Sequence, residues 1–510
     1  MRIRSGSIWI PVLAGLLFSC SGGDQTADRS QGRPNIVIIY VDDLGYADVE
    51  SYGAVGVQTP HINELDRTGI RFQDAHSSAA TCTPSRYTLL TGSYAFRNDA
   101  RILPGDAPLL IPPGTPTLPG MLKEEGYRTA VIGKWHLGLG EGQLDWNGEI
   151  RPGPLEIGFD YCYLIPATGD RVPCVWVENH RVVGLDPDDP IQVSYQEKVG
   201  DLPTGVTHSG LLKQQADPQH SQTIINGISR IGYMSGGESA WWKDEEFPEV
   251  LTGKAKAFIT ENRDRPFFLY FSFHDIHVPR VVHPRFEGAS TMGPRGDAIA
   301  QMDWCTGQIM EILDELGLRE QTLIIFSSDN GPVLNDGYMD RAVEMAGVHR
   351  PPGPFRGGKY SNFEAGTRVP TIVSWPGTIE PGISDALIGQ VDLYASIAQL
   401  LGHPLKKDEA PDSRALLETW TGKDPKGREY LVEEALSLSL RKGEWKYISP
   451  LEGGSPAWMD EIKRIESGAS EQPQLYHLEE DLGEQHNLAE LYPEKTENMA
   501  ETLKQIIENK

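Results

Sequence analysis

Long apolar runs, each ending in a burst of polar side chains, set the pattern of this chain. Residues 35–41 (Asn-Ile-Val-Ile-Ile-Tyr-Val) are apolar without interruption after the first, and 267–273 and 323–328 repeat the form. A continuous run, unlike an alternating one, predicts a strand buried on both faces of a sheet. Shorter runs predict strands at 70–75, 129–132 and 370–374. Between them the apolar spacing turns helical: a short helix from Thr59-Pro60 to Gly69, then 118–126, 297–316 and the stretch 391–401. Strands alternating with helices argue a mainly parallel sheet sandwiched by helices, the α/β class. Residues 161–250 are irregular, rich in Gly, Pro, Trp and charge, and read as functional loops. Beyond Pro411 the texture changes to short strands at 429–433, 438–441 and 445–448 and a helix from Pro493. The expected organisation is a catalytic domain over 34–410 and a smaller antiparallel-sheet-plus-helix subdomain over 411–510.

The polar bursts carry the chemistry. Strand 35–41 delivers Asp42 and Asp43 to its carboxyl end, where open α/β sheets place their ligand sites. Lys134 and His136 follow 129–132, His274 and His277 follow 267–273, and Asp329-Asn330 follow 323–328. Taken singly, each has an ordinary reading: an Asp pair as a turn, a lysine as solvated surface, a histidine as a capped loop residue. Their recurrence at strand ends favours one site.

Composition narrows the rest. The 510 residues carry 46 Lys and Arg against 72 Asp and Glu, a formal charge of −26. That balance argues against nucleic-acid backbones as partners, and it obliges any site for an anion to supply its own cations. Five cysteines in this length are no disulfide scaffold. Residues 1–20 read as a targeting segment: Arg2 and Arg4, an apolar run too short to span a bilayer, then Leu17-Phe18-Ser19-Cys20. This tetrad resembles a bacterial lipobox, which makes Cys20 the lipid acceptor and predicts an exported, membrane-anchored protein, periplasmic or surface-facing. Residues 21–33 then form a flexible tether of about 20 Å. Cys162 and Cys174 are close enough in sequence to suggest a disulfide in an exported protein, and Cys305 is expected as a buried thiol.

The stretch 80–92 (Ala-Thr-Cys-Thr-Pro-Ser-Arg-Tyr-Thr-Leu-Leu-Thr-Gly) organises the site. Pro84 suits the first turn of a helix and Gly92 its end, so Cys82 is expected just before a helix N-terminus, a natural anion site. Cys82-Thr83-Pro84-Ser85-Arg86 with Leu89-Leu90-Thr91-Gly92 resembles the signature of the formylglycine-dependent type I sulfatases of the alkaline phosphatase superfamily. A second stretch, Gly126-Tyr127-Arg128-Thr129 running to Gly133-Lys134-Trp135-His136, is similar to that family's second signature.

The resemblance implies that a maturation enzyme oxidises Cys82 to formylglycine, whose hydrate is the nucleophile. It implies a metal held by Asp42, Asp43, Asp329, Asn330 and the residue at Cys82. The all-oxygen donor set suits Ca²⁺, with Mg²⁺ open. Arg86, Lys134, His136, His277 and Lys359 match the family's catalytic positions. There one hydroxyl of the hydrate attacks sulfur, His277 with Lys359 serves the leaving alcohol, and His136 takes the second hydroxyl's proton so that the aldehyde reforms. The implied substrate is a sulfated glycan. Candidate sugar contacts are Asp170, Arg171, Trp241, His349 and Arg350; His274 either lines the pocket or merely precedes His277. Two alternatives stand beside this reading: a phosphate or phosphonate ester hydrolase of the same superfamily, and a non-catalytic glycan-binding lipoprotein.

Overall fold

The computed structural model describes residues 32–508; the targeting segment, Cys20 and all but the last residues of the tether lie outside the described residues. Five parallel strands form the centre of a ten-stranded sheet, in spatial order Thr322–Ser328, Asn35–Val41, Phe267–Ser272, Arg128–Lys134 and Tyr161–Ile165. On one flank the antiparallel Thr371–Ser374 leads to Gly69–Phe72 and Gly382–Ser384; on the other lie Val177–Glu178 and Arg181–Val182. Asn35–Val41, Phe267–Ser272 and Thr322–Ser328 are buried at every position, as their long apolar runs require. Each Val, Leu, Ile or Phe among them contributes roughly 1.5–3 kcal/mol by leaving water. Helices Pro60–Arg67, Gly293–Glu315 and Phe247–Glu261 pack together in one layer, and Cys82–Thr91, Leu118–Glu124 and Leu393–Leu401 in another.

Register decides where the chemistry goes. Tyr40 lies beside Ser272, Val41 beside Ser328, and Ser272 beside Gly133, so four strands end level to within a residue. Asp42-Asp43, Asp329-Asn330, Lys134 and His274 therefore leave the sheet along one edge. Gly133 is required here. It adopts φ +111°, and a Cβ on it would stand 1.9 Å from the Ser272 carbonyl oxygen.

Several elements depart from the sequence reading, two of them in or starting in the region expected to be irregular. Tyr161–Ile165 is the fifth parallel strand, and Phe247–Glu261 is a full helix. The helix buries Leu251, Ala255, Phe258 and Ile259 at helical spacing, but Gly253 within it weakens its intrinsic signal. The run expected as one strand over 70–75 is broken: Ala75–His76 leaves the main sheet and pairs with Ile388–Gly389. The C-terminal sheet has four antiparallel strands, Tyr430–Glu434, Leu438–Lys442, Trp445–Ile448 and an unexpected fourth, Gln474–His477. Helix Pro493–Glu508 packs on it through Met499 and Leu503.

The expected Cys162–Cys174 bridge is not formed. Parallel register fixes Cys162 beside Val131, where its thiol turns to the Asn179 carbonyl, and the Cys174 thiol turns to that of Arg171. Both are buried free thiols, as is Cys305 in helix Gly293–Glu315. Alkylation in denaturant without reductant, followed by peptide mass spectrometry, is expected to label all three; a peptide pair linked through Cys162 and Cys174 would overturn this.

A buried ionic cluster joins the C-terminal sheet to the main body. Lys446 Nζ lies 3.0 Å from both Glu364 and Glu433, and Arg441 bridges Glu364 at 2.8 Å and Asp74 at 3.1 Å. His76 sits between Asp74 at 2.9 Å and Glu433 at 2.7 Å. Burial by itself lowers the His76 pKa, but Glu433 and Asp74 outweigh it and raise the value. The stability His76 contributes is thus fully present below its unfolded pKa and is lost as pH rises through the raised folded value. Removing one member of such a cluster leaves buried charge uncompensated. Lys446→Met is expected to lower unfolding stability by about 3–5 kcal/mol in a denaturant titration; an unchanged midpoint would show that the cluster is not holding the two parts together.

Candidate active site

Helix Cys82–Thr91 is buried on all sides, which a helix at the surface would not be. Thr81 precedes it in extended conformation and Gly92 closes it at φ 62°, as read from the sequence. Cys82 was expected just before the helix; it is the first helical residue, with the free N–H groups of the first turn around it. Thr83 Oγ1 donates to the His136 carbonyl at 2.9 Å and Ser85 Oγ to that of Ala79 at 2.8 Å, which fixes the helix start against two loops.

Carboxylate oxygens of Asp42, Asp43 and Asp329 and the Cys82 sulfur all lie within 4.8 Å of one another, fully buried. The Asn330 amide nitrogen donates to Asp43 Oδ1 at 2.7 Å, while its Oδ1 is buried with no partner. Burial, and then the neighbouring Asp329, push the Asp42 carboxyl well above the usual carboxylate range. Three cations answer this charge. Arg86 reaches Asp329 Oδ2 through Nε at 3.0 Å and Nη2 at 2.7 Å, and also Ser272. Lys134 Nζ pairs with Asp42, and Lys359 Nζ lies 2.9 Å from Asp43 and 3.1 Å from Asp336. Three close carboxylates and an orphan amide oxygen fit a hard divalent cation; every donor but the Cys82 position is oxygen.

Above this cluster opens a cavity of about 380 Å³. Cys82, His136, His277, Lys359, Asp170 and Arg171 line it, all foreseen from the sequence. Both histidines have defined tautomers, because a carbonyl only accepts. His136 Nε2 donates to the Leu103 carbonyl at 3.0 Å, leaving a lone pair on a buried, unpartnered Nδ1. His277 Nδ1 donates to the Val278 carbonyl at 2.7 Å, leaving the lone pair on Nε2. Burial lowers both pKa values, helped by Lys134 at His136 and by Lys359 at His277, so both rings rest neutral.

The remaining candidates divide. Arg171 Nη1 lies 2.9 Å from Asp170, inside the cavity wall. His274 sits behind that wall: its ring stands edge-on to His277 and a Cβ on Gly169 would meet its Nε2 at 2.5 Å. Trp241 packs against the core and donates to the Gly236 carbonyl, away from the cavity. His349 is buried against Asp48 at 2.9 Å, which Arg295 also holds, and Arg350 is exposed outside the cavity lining.

Several lining residues escaped the sequence reading. His220 is hydrogen-bonded to Asp217 at 2.7 Å and lies 3.5 Å from Asp170. Burial alone lowers its pKa, but these carboxylates raise it to about 9. Asp336, Tyr360, Trp458 and Lys463 complete the mouth. Lys463 reaches back to Asp336, so the C-terminal region contributes to the cavity directly.

This geometry agrees with comparisons to known proteins. A family model described as Sulfatase matches residues 34–403. An N-acetylgalactosamine-6-O-sulfatase of Bacteroides thetaiotaomicron is 49% identical over 99% of both chains. Human arylsulfatase A is 31% identical over 93% of this chain and 87% of its own. A solved structure designated 6S-sulf, from the glycosaminoglycan metabolism of Bacteroides thetaiotaomicron, superposes with a TM-score of 0.91 at 50% identity, covering 93% of this chain and 99% of that one. With a helix-borne cysteine, a buried carboxylate cluster and a cation-lined cavity brought together, the chain belongs to the sulfatase family, enzymes that hydrolyse sulfate esters.

Proposed function

We propose that this sulfatase removes the 6-sulfate of N-acetylgalactosamine, or of a closely similar sugar, from a glycan. It would do so with Cys82 converted to formylglycine by a maturation enzyme and Ca²⁺ held by Asp42, Asp43, Asp329, Asn330 and the modified residue. The substrate rests on full-length similarity to a relative of that name. The cofactors rest on one observation above the rest: the Asn330 amide oxygen is buried without a partner beside three carboxylates. An orphan of this kind costs about 1–3 kcal/mol unless something binds it. Export as a lipoprotein through Cys20, and a division at about residue 410, complete the reading.

Bound calcium supplies positive charge that holds ester oxygens and acidifies a neighbouring hydroxyl. The chain's own groups do the rest. Lys134, Lys359 and the first-turn N–H groups of helix Cys82–Thr91 surround the place of the sulfate oxygens. His136 takes a proton at Nδ1, the atom its Leu103 hydrogen bond leaves free. Lys359, kept protonated by Asp336 and Asp43 in spite of its burial, can give a proton to the departing sugar oxygen, while His277, with only a lone pair at Nε2, can accept a hydrogen bond there. Asp336, clamped between Lys359 and Lys463, holds Lys359 in place across the cavity.

Peptide mass spectrometry is expected to find formylglycine at Cys82, and the purified enzyme to release sulfate from N-acetylgalactosamine 6-sulfate. A chelator should abolish release and Ca²⁺ should restore it better than Zn²⁺. Cys82→Ser should allow at most one turnover, because a serine hydroxyl has no second oxygen to discharge the sulfate; wild-type turnover by this variant, or by metal-free enzyme, would sink the reading. Asp336→Asn is expected to cut kcat/KM by roughly ten- to a hundredfold, since small misplacements of a catalytic group carry penalties of that order; full activity would remove Asp336 from the machinery.

A further inference from the structure

The segment from Trp458 to Lys463 stands at the mouth of the cavity, and apart from the Lys463 contact with Asp336 it has no part in the chemistry described so far. Trp458 lines the cavity yet is 37% exposed, the largest apolar side chain presented to solvent there. Its ring lies edge-on to Tyr360, with centroids 5.2 Å apart, and Tyr360 follows the sulfate-side Lys359. The segment that carries it is pinned from below. Met459 is fully buried against Val333 and Ile465, Asn335 Nδ2 donates to the Ile462 carbonyl at 2.6 Å, and Lys463 pairs with Asp336. All three anchors fall on the loop 333–336, which continues from the Asp329-Asn330 strand end. These contacts tie the segment to the cavity wall immediately after the indole.

An exposed aromatic face on a fixed segment beside a polar cavity suits the apolar C–H face of a pyranose ring. The cavity floor, with Cys82, His136, His277 and Lys359, is occupied by the sulfate and the sugar that bears it. The indole lies outside that floor, at the rim. We propose that Trp458 is the platform for the neighbouring sugar of the chain, the one linked to the sulfated residue, so that the enzyme grips an oligosaccharide and not only its sulfated unit. This rests on the reading of the cavity as a glycan sulfatase site. It assigns the C-terminal region a role in substrate choice: Met459, Ile462 and Lys463 position the segment, and Trp458 touches the ligand.

The test compares two substrates on the intact enzyme: N-acetylgalactosamine 6-sulfate, and a trisaccharide carrying that residue at its non-reducing end. Trp458→Ala is expected to raise KM for the trisaccharide about five- to twentyfold, to leave kcat close to wild type, and to leave the monosaccharide's KM within twofold. Trp458→Phe keeps a ring face and is expected to retain most of the trisaccharide affinity, while Trp458→Leu keeps bulk without a face and is expected to behave like Trp458→Ala. Thermal melts of all three variants should match wild type, since the side chain is exposed. Equal losses on both substrates would make Trp458 part of the sulfated sugar's own site. No loss on either, or a Leu variant as good as Phe, would equally overturn the proposal. Wild type inactive on both substrates would instead refute the substrate reading above, so the two failures are distinguishable.

Discussion

Three carboxylates and a cysteine share one buried pocket at the carboxyl edge of the sheet, and the surrounding structure answers that concentration of like charge. Asp42, Asp43 and Asp329 have essentially no exposure. At separations below 5 Å in a protein interior, each pair repels by several kcal/mol. Arg86, Lys134 and Lys359 are therefore not accessories. Each is itself buried, and each would be as costly alone as the carboxylates it faces. Cluster and cations make sense only together, and the Asn330 amide oxygen among them is left with no protein partner.

Holding such a cluster needs a scaffold that does not give. The parallel register of Asn35–Val41 with Phe267–Ser272 and Thr322–Ser328 sets three strand ends level to within a residue. Arg86 then binds three strands at once: its guanidinium meets Asp329 after one, Ser272 at the end of a second, and the Lys134 carbonyl at the end of a third. The helix that presents Cys82 is thereby tied to the sheet by the same residue that neutralises its neighbour. Fold and electrostatics are one arrangement here, since loss of Arg86 would free the helix and strand a buried carboxylate together.

What the sequence disclosed follows from the range over which each signal acts. The central strands were legible because burial on both faces writes itself as an unbroken apolar run, as at 35–41. The residues of the buried cluster and the cavity floor were legible because they sit at strand ends or within two contiguous stretches, 80–92 and 126–136. Tyr161–Ile165 was not, because its five residues are edged by Gly and Asp on one side and Pro on the other, and only pairing with Arg128–Lys134 defines it. His349 looked available and is spent on Asp48; Trp241 looked like a sugar contact and is spent on packing. Asp336, His220, Trp458 and Lys463 reach the cavity from loops whose course depends on the whole fold, and no local pattern marks them.

The same separation of scales resolves the enzyme's charge. A chain of formal charge −26 repels a sulfated polymer at a distance, yet that field is screened beyond about 8 Å at physiological ionic strength. Within the cavity cations are concentrated instead. Arg171, Lys359, Lys463 and a His220 raised to about 9 face Asp170 and Asp336, with Lys134 and Arg86 beneath, paired to Asp42 and Asp329. Low-dielectric walls make those near charges count for more than many distant ones on the wetted surface. Electrostatic recognition is therefore local by construction: charge attracts the polymer only where one sulfate enters far enough to meet the buried cations.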